Sequence, residues 1–380
     1  MNCPICNALD VKKFLHIKMP ILLRSLPYEE AVNVPVEELI VYNCNSCYTG
    51  FNLTPLNNSI TNNIYLDYSG YISPFNNIGT NKFNNIIQVI KFFIPLEAPI
   101  TEIGCGDGYL LYLLKKEGYL DTLGFEPSKL ANIGIKHNLK IVNTFFRSEE
   151  LRKYNRAHTN FILSHFLEHL NNPVALLKEL KDFLCGNCFI IIEVPYFDGF
   201  HHEHLFFYTK KSFLQLAEKA GLKLLYLNPV FNNEYEVLIA VFSNSNNETE
   251  KYSIDKEESY LNFKMLMEKR RNRIFKGFQM LEEKIKHYNN ILIWGAGSSA
   301  VLYLNNIKKE IFENKNIRIV SRDERHEGNF IPGLLKPVEN PVKYENRFFD
   351  LIVVLSQFYE EIKENIYNLN IKSNDLIWIY

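Results

Sequence analysis

Thr101-Glu102-Ile103-Gly104-Cys105-Gly106-Asp107-Gly108 follows an apolar run and opens a helix-like segment, and an isolated acid, Glu126, ends the later run Leu123-Gly124-Phe125. Glycines at this spacing let the backbone turn sharply and approach a ligand with no Cβ in the way, while an acid beyond the next strand can accept hydrogen bonds from ribose hydroxyls. The chemistry is nucleoside binding. A glycine-rich turn alone is weak; Glu102 inside it and the order of elements behind it make this one specific. A second group, His201-His202-Glu203-His204 before Leu205-Phe206-Phe207-Tyr208, collects imidazoles. An unperturbed imidazole has a pKa of about 6.5 and is largely neutral near pH 7, able to accept a proton. Metal ligation by His201, His202 and His204 and a plain polar loop are the competing readings, and against the metal stands the alternation of an extended segment, which turns neighbouring side chains to opposite sides.

Cys3-Pro4-Ile5-Cys6 and Cys44-Asn45-Ser46-Cys47 repeat one spacing, and each pair can aim two thiolates at one ion. Cys3, Cys6, Cys44 and Cys47 suit a closed tetrahedral zinc site, which is structural because no coordination position is left for a reacting water. Cys185 and Cys188 have no second pair nearby, and packing is the better reading there.

At 380 residues, 47% hydrophobic and 22% charged, the chain is too long for one ordinary domain, and two or three are expected. Its 42 basic and 43 acidic residues give a net charge of -1, which supplies no broad positive field for a phosphate backbone. A small-molecule partner and no nucleic acid are therefore expected. No apolar run is long enough to cross a bilayer, and Met1-Asn2-Cys3-Pro4 lacks the layout of a secretion signal, so no membrane partner and a cytoplasmic location are expected.

The elements that must position these residues form an alternation of short apolar runs and helical periods from Ile100 to Ser243, the pattern of a doubly wound α/β sheet. Strands are expected at Ile100–Ile103, Thr122–Glu126, Lys140–Asn143, Asn160–Ser164, Cys188–Val194, Leu222–Leu227 and Glu236–Phe242, the last two antiparallel because too few residues separate them for a helical crossover. A polar stretch from Ser243 reads as a linker. The helix beyond it carries the stripe Ile274, Phe275, Phe278, Leu281 and Ile285, with Lys269, Arg270, Arg271, Arg273 and Lys276 mostly toward solvent. Ile291-Leu292-Ile293-Trp294 then leads into Gly295-Ala296-Gly297-Ser298-Ser299-Ala300, a second strand-turn-helix with Asp323 downstream. The division is 1–62 zinc-binding module, 63–245 core, 246–288 linker and long helix, and 289–380 Rossmann-like domain.

Glu102-x-Gly-x-Gly-x-Gly, then Gly124-Phe125-Glu126-Pro127, then Phe161-Ile162-Leu163-Ser164-His165-Phe166-Leu167-Glu168-His169-Leu170 resembles the signature of class I S-adenosylmethionine-dependent methyltransferases. The resemblance implies a class I methyltransferase sheet with S-adenosylmethionine as cofactor. Gly104, Gly106 and Gly108, with Glu102 in the same motif, cradle its methionine part, Glu126 holds its ribose, and Ser164 and His165 line the methyl-donor cleft.

Over nearly the full length, the four-cysteine module, the core and the C-terminal unit with Asp323 to His326 and Gly328 to Gly333 resemble the sugar C-methyltransferases, which methylate nucleotide-linked keto-deoxysugars. The family's Tyr-His-Glu-His motif falls on His201 to His204. By matched position His204 is the general base, Glu203 a polar partner and His201 the stand-in for the tyrosine, while Tyr68 matches an entrance tyrosine. The implied function is methylation at carbon through an enolate, on a nucleotide-linked sugar. Separately, a monomer or weak homodimer is expected. O-methylation with the same base is the near alternative, and an NAD-dependent oxidoreductase built on Gly295 to Ala300 a remote one.

Overall fold

Three strands, β1 (Val11–Pro20), β2 (Val36–Cys44) and β3 (Gly50–Asn52), begin the chain, with the short helix α1 (Tyr28–Ala31) between the first two. The computed structural model describes residues 1–52, 75, 83–184, 186–231, 236–244 and 260–379. They group into two units, Met1–Phe14 with Val41–Lys264, and Leu15–Ile40 with Met265–Tyr380.

In the first unit, β4 (Ile100–Ile103), β5 (Thr122–Phe125), β6 (Ile141–Val142), β7 (Asn160–Ser164) and β8 (Phe189–Pro195) run parallel. β9 (Phe206–Phe207) pairs with β3, and β10 (Lys223–Phe231) and β11 (Glu236–Ser243) complete the sheet in the order β10-β11-β8-β7-β4-β5-β6. β10 and β11 form an antiparallel hairpin, as their short connection requires, with Lys223 opposite Ser243. Ile190, Ile191 and Ile192 are wholly buried, the condition of a central strand covered on both faces.

Six helices are described between these strands: α2 (Asn84–Phe93), α3 (Tyr109–Lys116), α4 (Ala131–Lys136), α5 (Ser148–Lys153), α6 (Pro173–Lys181) and α7 (Lys210–Ala220). The side chain of Asn172 accepts from the Ala175 amide with Pro173 at the first turn, which starts α6, and a Thr209–Ser212 capping box starts α7. Gly221 ends α7 in the left-handed region at φ 67°. β4 and β7 have the expected bounds, whereas β10 runs on to Phe231 and α2 was not expected. The chain leaves β4 toward β5 and β6 on one side and returns to β7 and β8 on the other, so β4 and β7 flank the switch point where open α/β sheets bind ligands.

Helix α8 (Tyr260–His287) leads into the second unit. Ile274, Phe278, Leu281 and Ile285 are buried as the stripe requires, whereas Phe275 is only half-buried and Arg270 is buried, against the expectation that it faces solvent. β12 (Asn290–Trp294), β13 (Asn316–Val320), β14 (Val338–Glu339), β15 (Phe348–Val354) and β16 (Lys372–Trp378) form a parallel sheet in the order β14-β13-β12-β15-β16, with α9 (Ser298–Asn305) and α10 (Tyr359–Asn368). At Gly295, φ is 134° and a Cβ would lie 2.5 Å from the Leu355 carbonyl oxygen, so close approach of two backbones requires this glycine. Among the described residues no helix is long and apolar enough to cross a membrane.

Candidate active site

The expected nucleoside turn follows β4, and Gly104, Gly106 and Gly108 all adopt positive φ, at 74°, 56° and 77°. Their surroundings differ. A Cβ on Gly104 would collide with the Phe166 ring, and one on Gly108 would lie 2.8 Å from Leu139 and Ile141, so packing demands these two. A Cβ on Gly106 meets no atom within 4 Å, and Gly106 lines a cavity of about 520 Å³. The same cavity is lined by Glu102, Gly104, Glu126, Ser164, His165 and His204. Gly108, His201 and Glu203 are not on its wall. Tyr68 lies outside the described residues.

Glu126, just past β5, holds the turn. Its Oε2 accepts the Gly106 N–H at 2.9 Å and its Oε1 the Ser128 N–H at 2.8 Å. Each carboxylate oxygen has a second lone pair, which leaves capacity for ribose hydroxyls. Glu102 is buried, and burial together with Asp107, Glu126 and Glu193 pushes its carboxyl well above the usual range. Three features fit S-adenosylmethionine: a cradle kept open at Gly106, a volume in the range of small-ligand pockets, and an acid, Glu126, on the wall with acceptor capacity to spare.

At the end of β7, Ser164 donates to Glu193 of β8 at 3.0 Å, and His165 turns into the left-handed region at φ 50°. Left-handed backbone at a non-glycine residue costs energy and tends to persist at functional sites. His165 lies 3.6 Å from Glu168 and 3.5 Å from Glu193. His204 Nε2 lies 4.0 Å from Glu168 Oε1, and the His201 and His204 rings are 3.8 Å apart. Burial holds His169 down to about 4 and His201 to about 3, and keeps His204 well below its ordinary value, with His201, His169 and His165 adding to the effect. These imidazoles are neutral at pH 7, with lone pairs able to take a proton or bind a metal.

The expected partner of His204 was Glu203, but the carboxylate facing its imidazole is Glu168, and Glu203 contributes its backbone carbonyl to His169 Nδ1 at 2.9 Å. Glu168, His169 and Glu193 are the site residues that sequence reasoning missed. The signal for Glu193 was an acid inside the apolar run Ile190-Ile191-Ile192-Glu193-Val194.

In the same unit, Cys3 and Cys47 place their sulfurs 3.6 Å apart, and Cys6 and Cys44 theirs 3.5 Å apart. A disulfide needs about 2.05 Å. Thiolates at about 2.3 Å from one tetrahedral ion are about 3.8 Å apart, so the four sulfurs are spaced for a metal. The two turns match: Asn7 donates to the Cys3 carbonyl and Tyr48 to the Cys44 carbonyl, both at 2.9 Å, and both residues have left-handed φ, 65° and 58°.

Residues 80–227 match the family model described as a methyltransferase domain, and residues 287–377 match the one described as C2185-like, N-terminal. The chain carries a methyltransferase domain of the class I α/β fold. It is similar to a tRNA U34 carboxymethyltransferase of Campylobacter hominis, 27% identical over 124 residues that make up 31% of this chain and 42% of that protein. A protein of the same name from Nautilia profundicola is 26% identical over 122 residues, 30% of this chain and 39% of the relative. The chain thus spans less than half the length of these curated relatives. Among solved structures, the magnesium protoporphyrin IX methyltransferase of Synechocystis aligns with 50% of this chain and 99% of its own at 12% identity and a TM-score of 0.38.

These relatives correct the expected partners. Both carry the name of an enzyme of tRNA, which overturns the expectation of a nucleotide-linked sugar and of no nucleic acid. The physical error lay in the charge argument: a net charge of -1 is a sum over the whole chain and says nothing of the field at one patch.

Proposed function

We propose that this chain is an S-adenosylmethionine-dependent methyltransferase whose donor lies along Gly104 and Gly106 with its ribose on Glu126, and whose acceptor loses its proton beside His204. One observation carries the reading: the glycine turn and His204, far apart in sequence, line one cavity. Bound there, the cofactor supplies an electrophilic methyl on a positively charged sulfur. Glu126 on the wall favours that charge, and Phe166, packed on Gly104, helps shape the wall. The acceptor class supported by the relatives' names is a nucleoside of tRNA.

The experiment is transfer of label from methyl-radiolabelled S-adenosylmethionine into bulk tRNA by the full chain. Label in the tRNA is expected, and His204→Asn should reduce it by about 10²- to 10⁴-fold, the usual contribution of a group that manages the acceptor's proton. Unlabelled tRNA alongside tight binding of S-adenosylhomocysteine would reject the acceptor while leaving the donor site standing. For Cys3, Cys6, Cys44 and Cys47 we propose one structural zinc ion, supported by the sulfur spacing and the matched turns.

A further inference from the structure

We propose that Glu168, His169 and His204 bind one divalent transition-metal ion on the wall of the donor cavity. Each offers a ligand atom, and these atoms lie within 4.8 Å of one another. The 4.0 Å between His204 Nε2 and Glu168 Oε1 is too long for a hydrogen bond and near the separation of two ligands of one ion, about 3.4 Å for tetrahedral bonds of about 2.1 Å. Glu168 is 1% exposed and sits behind the wall, whereas His169 and His204 line it, so an ion held from behind by the carboxylate faces the cavity.

The outer contacts point the same way. His169 Nδ1 lies 2.9 Å from the Glu203 carbonyl, and because a carbonyl only accepts, that nitrogen carries the hydrogen and Nε2 carries the lone pair. A backbone carbonyl holding the far nitrogen of a histidine is the usual support of a metal ligand. Leu205 N–H also donates to the Glu168 carbonyl at 2.8 Å, so the segment after β7 and the segment after β8 are tied together twice and the three ligands are held before any ion arrives.

Two imidazoles and one carboxylate suit zinc, iron(II), manganese or cobalt, and leave coordination positions open toward the cavity. The inference rests on the reading of that cavity as the donor cleft and deepens it: His204 acts as a ligand, the ion supplies Lewis acidity, and the acceptor atom it selects is an oxygen.

The test titrates the full chain, its cysteine site filled with zinc, with MnCl₂ and follows loss of the free-ion signal by electron paramagnetic resonance. One equivalent should bind, and Glu168→Gln and His169→Asn should each weaken binding at least tenfold while S-adenosylhomocysteine binding, measured by calorimetry, persists. Co²⁺ provides a readout on the unaltered chain: visible absorption without a thiolate charge-transfer band is expected. Absence of saturable Mn²⁺ binding, equal binding by the chain and both variants, or a thiolate band alone would overturn the site. Mn²⁺ binding without S-adenosylhomocysteine binding would retain the metal site and reject the donor cleft.

Discussion

The Glu126 carboxylate accepts the backbone N–H of Gly106 at 2.9 Å, so the acid after β5 holds in place the turn after β4. In Glu126→Gln one amide NH₂ must face the N–H of Gly106 or of Ser128, leaving a buried donor without an acceptor. A loss on the order of 1–3 kcal/mol is expected. Thermal unfolding should show it, together with at least tenfold weaker S-adenosylhomocysteine binding by calorimetry. Wild-type values for both would mean the contact does not organise the site.

The glycines of the turn should separate by phenotype. Alanine at either position pays the left-handed strain of about 1–2 kcal/mol, but Gly104→Ala also drives its Cβ into Phe166, whereas Gly106→Ala places it in open cavity. Gly104→Ala should lose more in Tm. Gly106→Ala should lose affinity for S-adenosylhomocysteine out of proportion to its stability, and the reverse ranking would contradict this geometry.

Glu102 should impose a pH dependence on stability. Its carboxyl titrates well above the usual range in the folded chain, while in the unfolded chain it ionises near about 4.3. Between those values the folded state holds a proton that the unfolded state has released, so this group's contribution falls as pH rises. The Tm of Glu102→Gln relative to wild type should therefore increase from pH 5 to pH 8. A constant difference would show that Glu102 ionises normally.

Removal of metal from the cysteine site should unfold its surroundings. Cys44→Ser leaves three thiolates for the ion, and a strong chelator leaves all four without one. Elemental analysis should give one zinc per chain in the wild type and a loss in the variant, with a lower Tm in both treatments. An unchanged Tm after complete zinc removal would contradict a structural role.

Much of the fold was legible in the sequence because its signals are local. Asn160–Ser164 reads as a strand from its apolar run and is one, and the few residues before Glu236 required an antiparallel hairpin, as observed. The cysteine pairs were legible for the same reason, since a repeated spacing implies a repeated turn, here with Asn7 and Tyr48 in matching conformations. Arg270 was misread because helical periodicity reports which face is apolar, not what the rest of the fold packs over a charged residue.

The sequence by itself determined the glycine turn, the acid after the second strand of the sheet and the histidine cluster as places where chemistry is possible. Which carboxylate serves that cluster was decided by the tertiary structure. Glu203 is adjacent to His204 in the chain, yet Glu168 faces the imidazole, because the parallel pairing of β7 with β8 brings the segments that follow them to the same edge of the sheet. Chain neighbours share a backbone, but side chains meet according to strand register, and register is a property of the folded sheet.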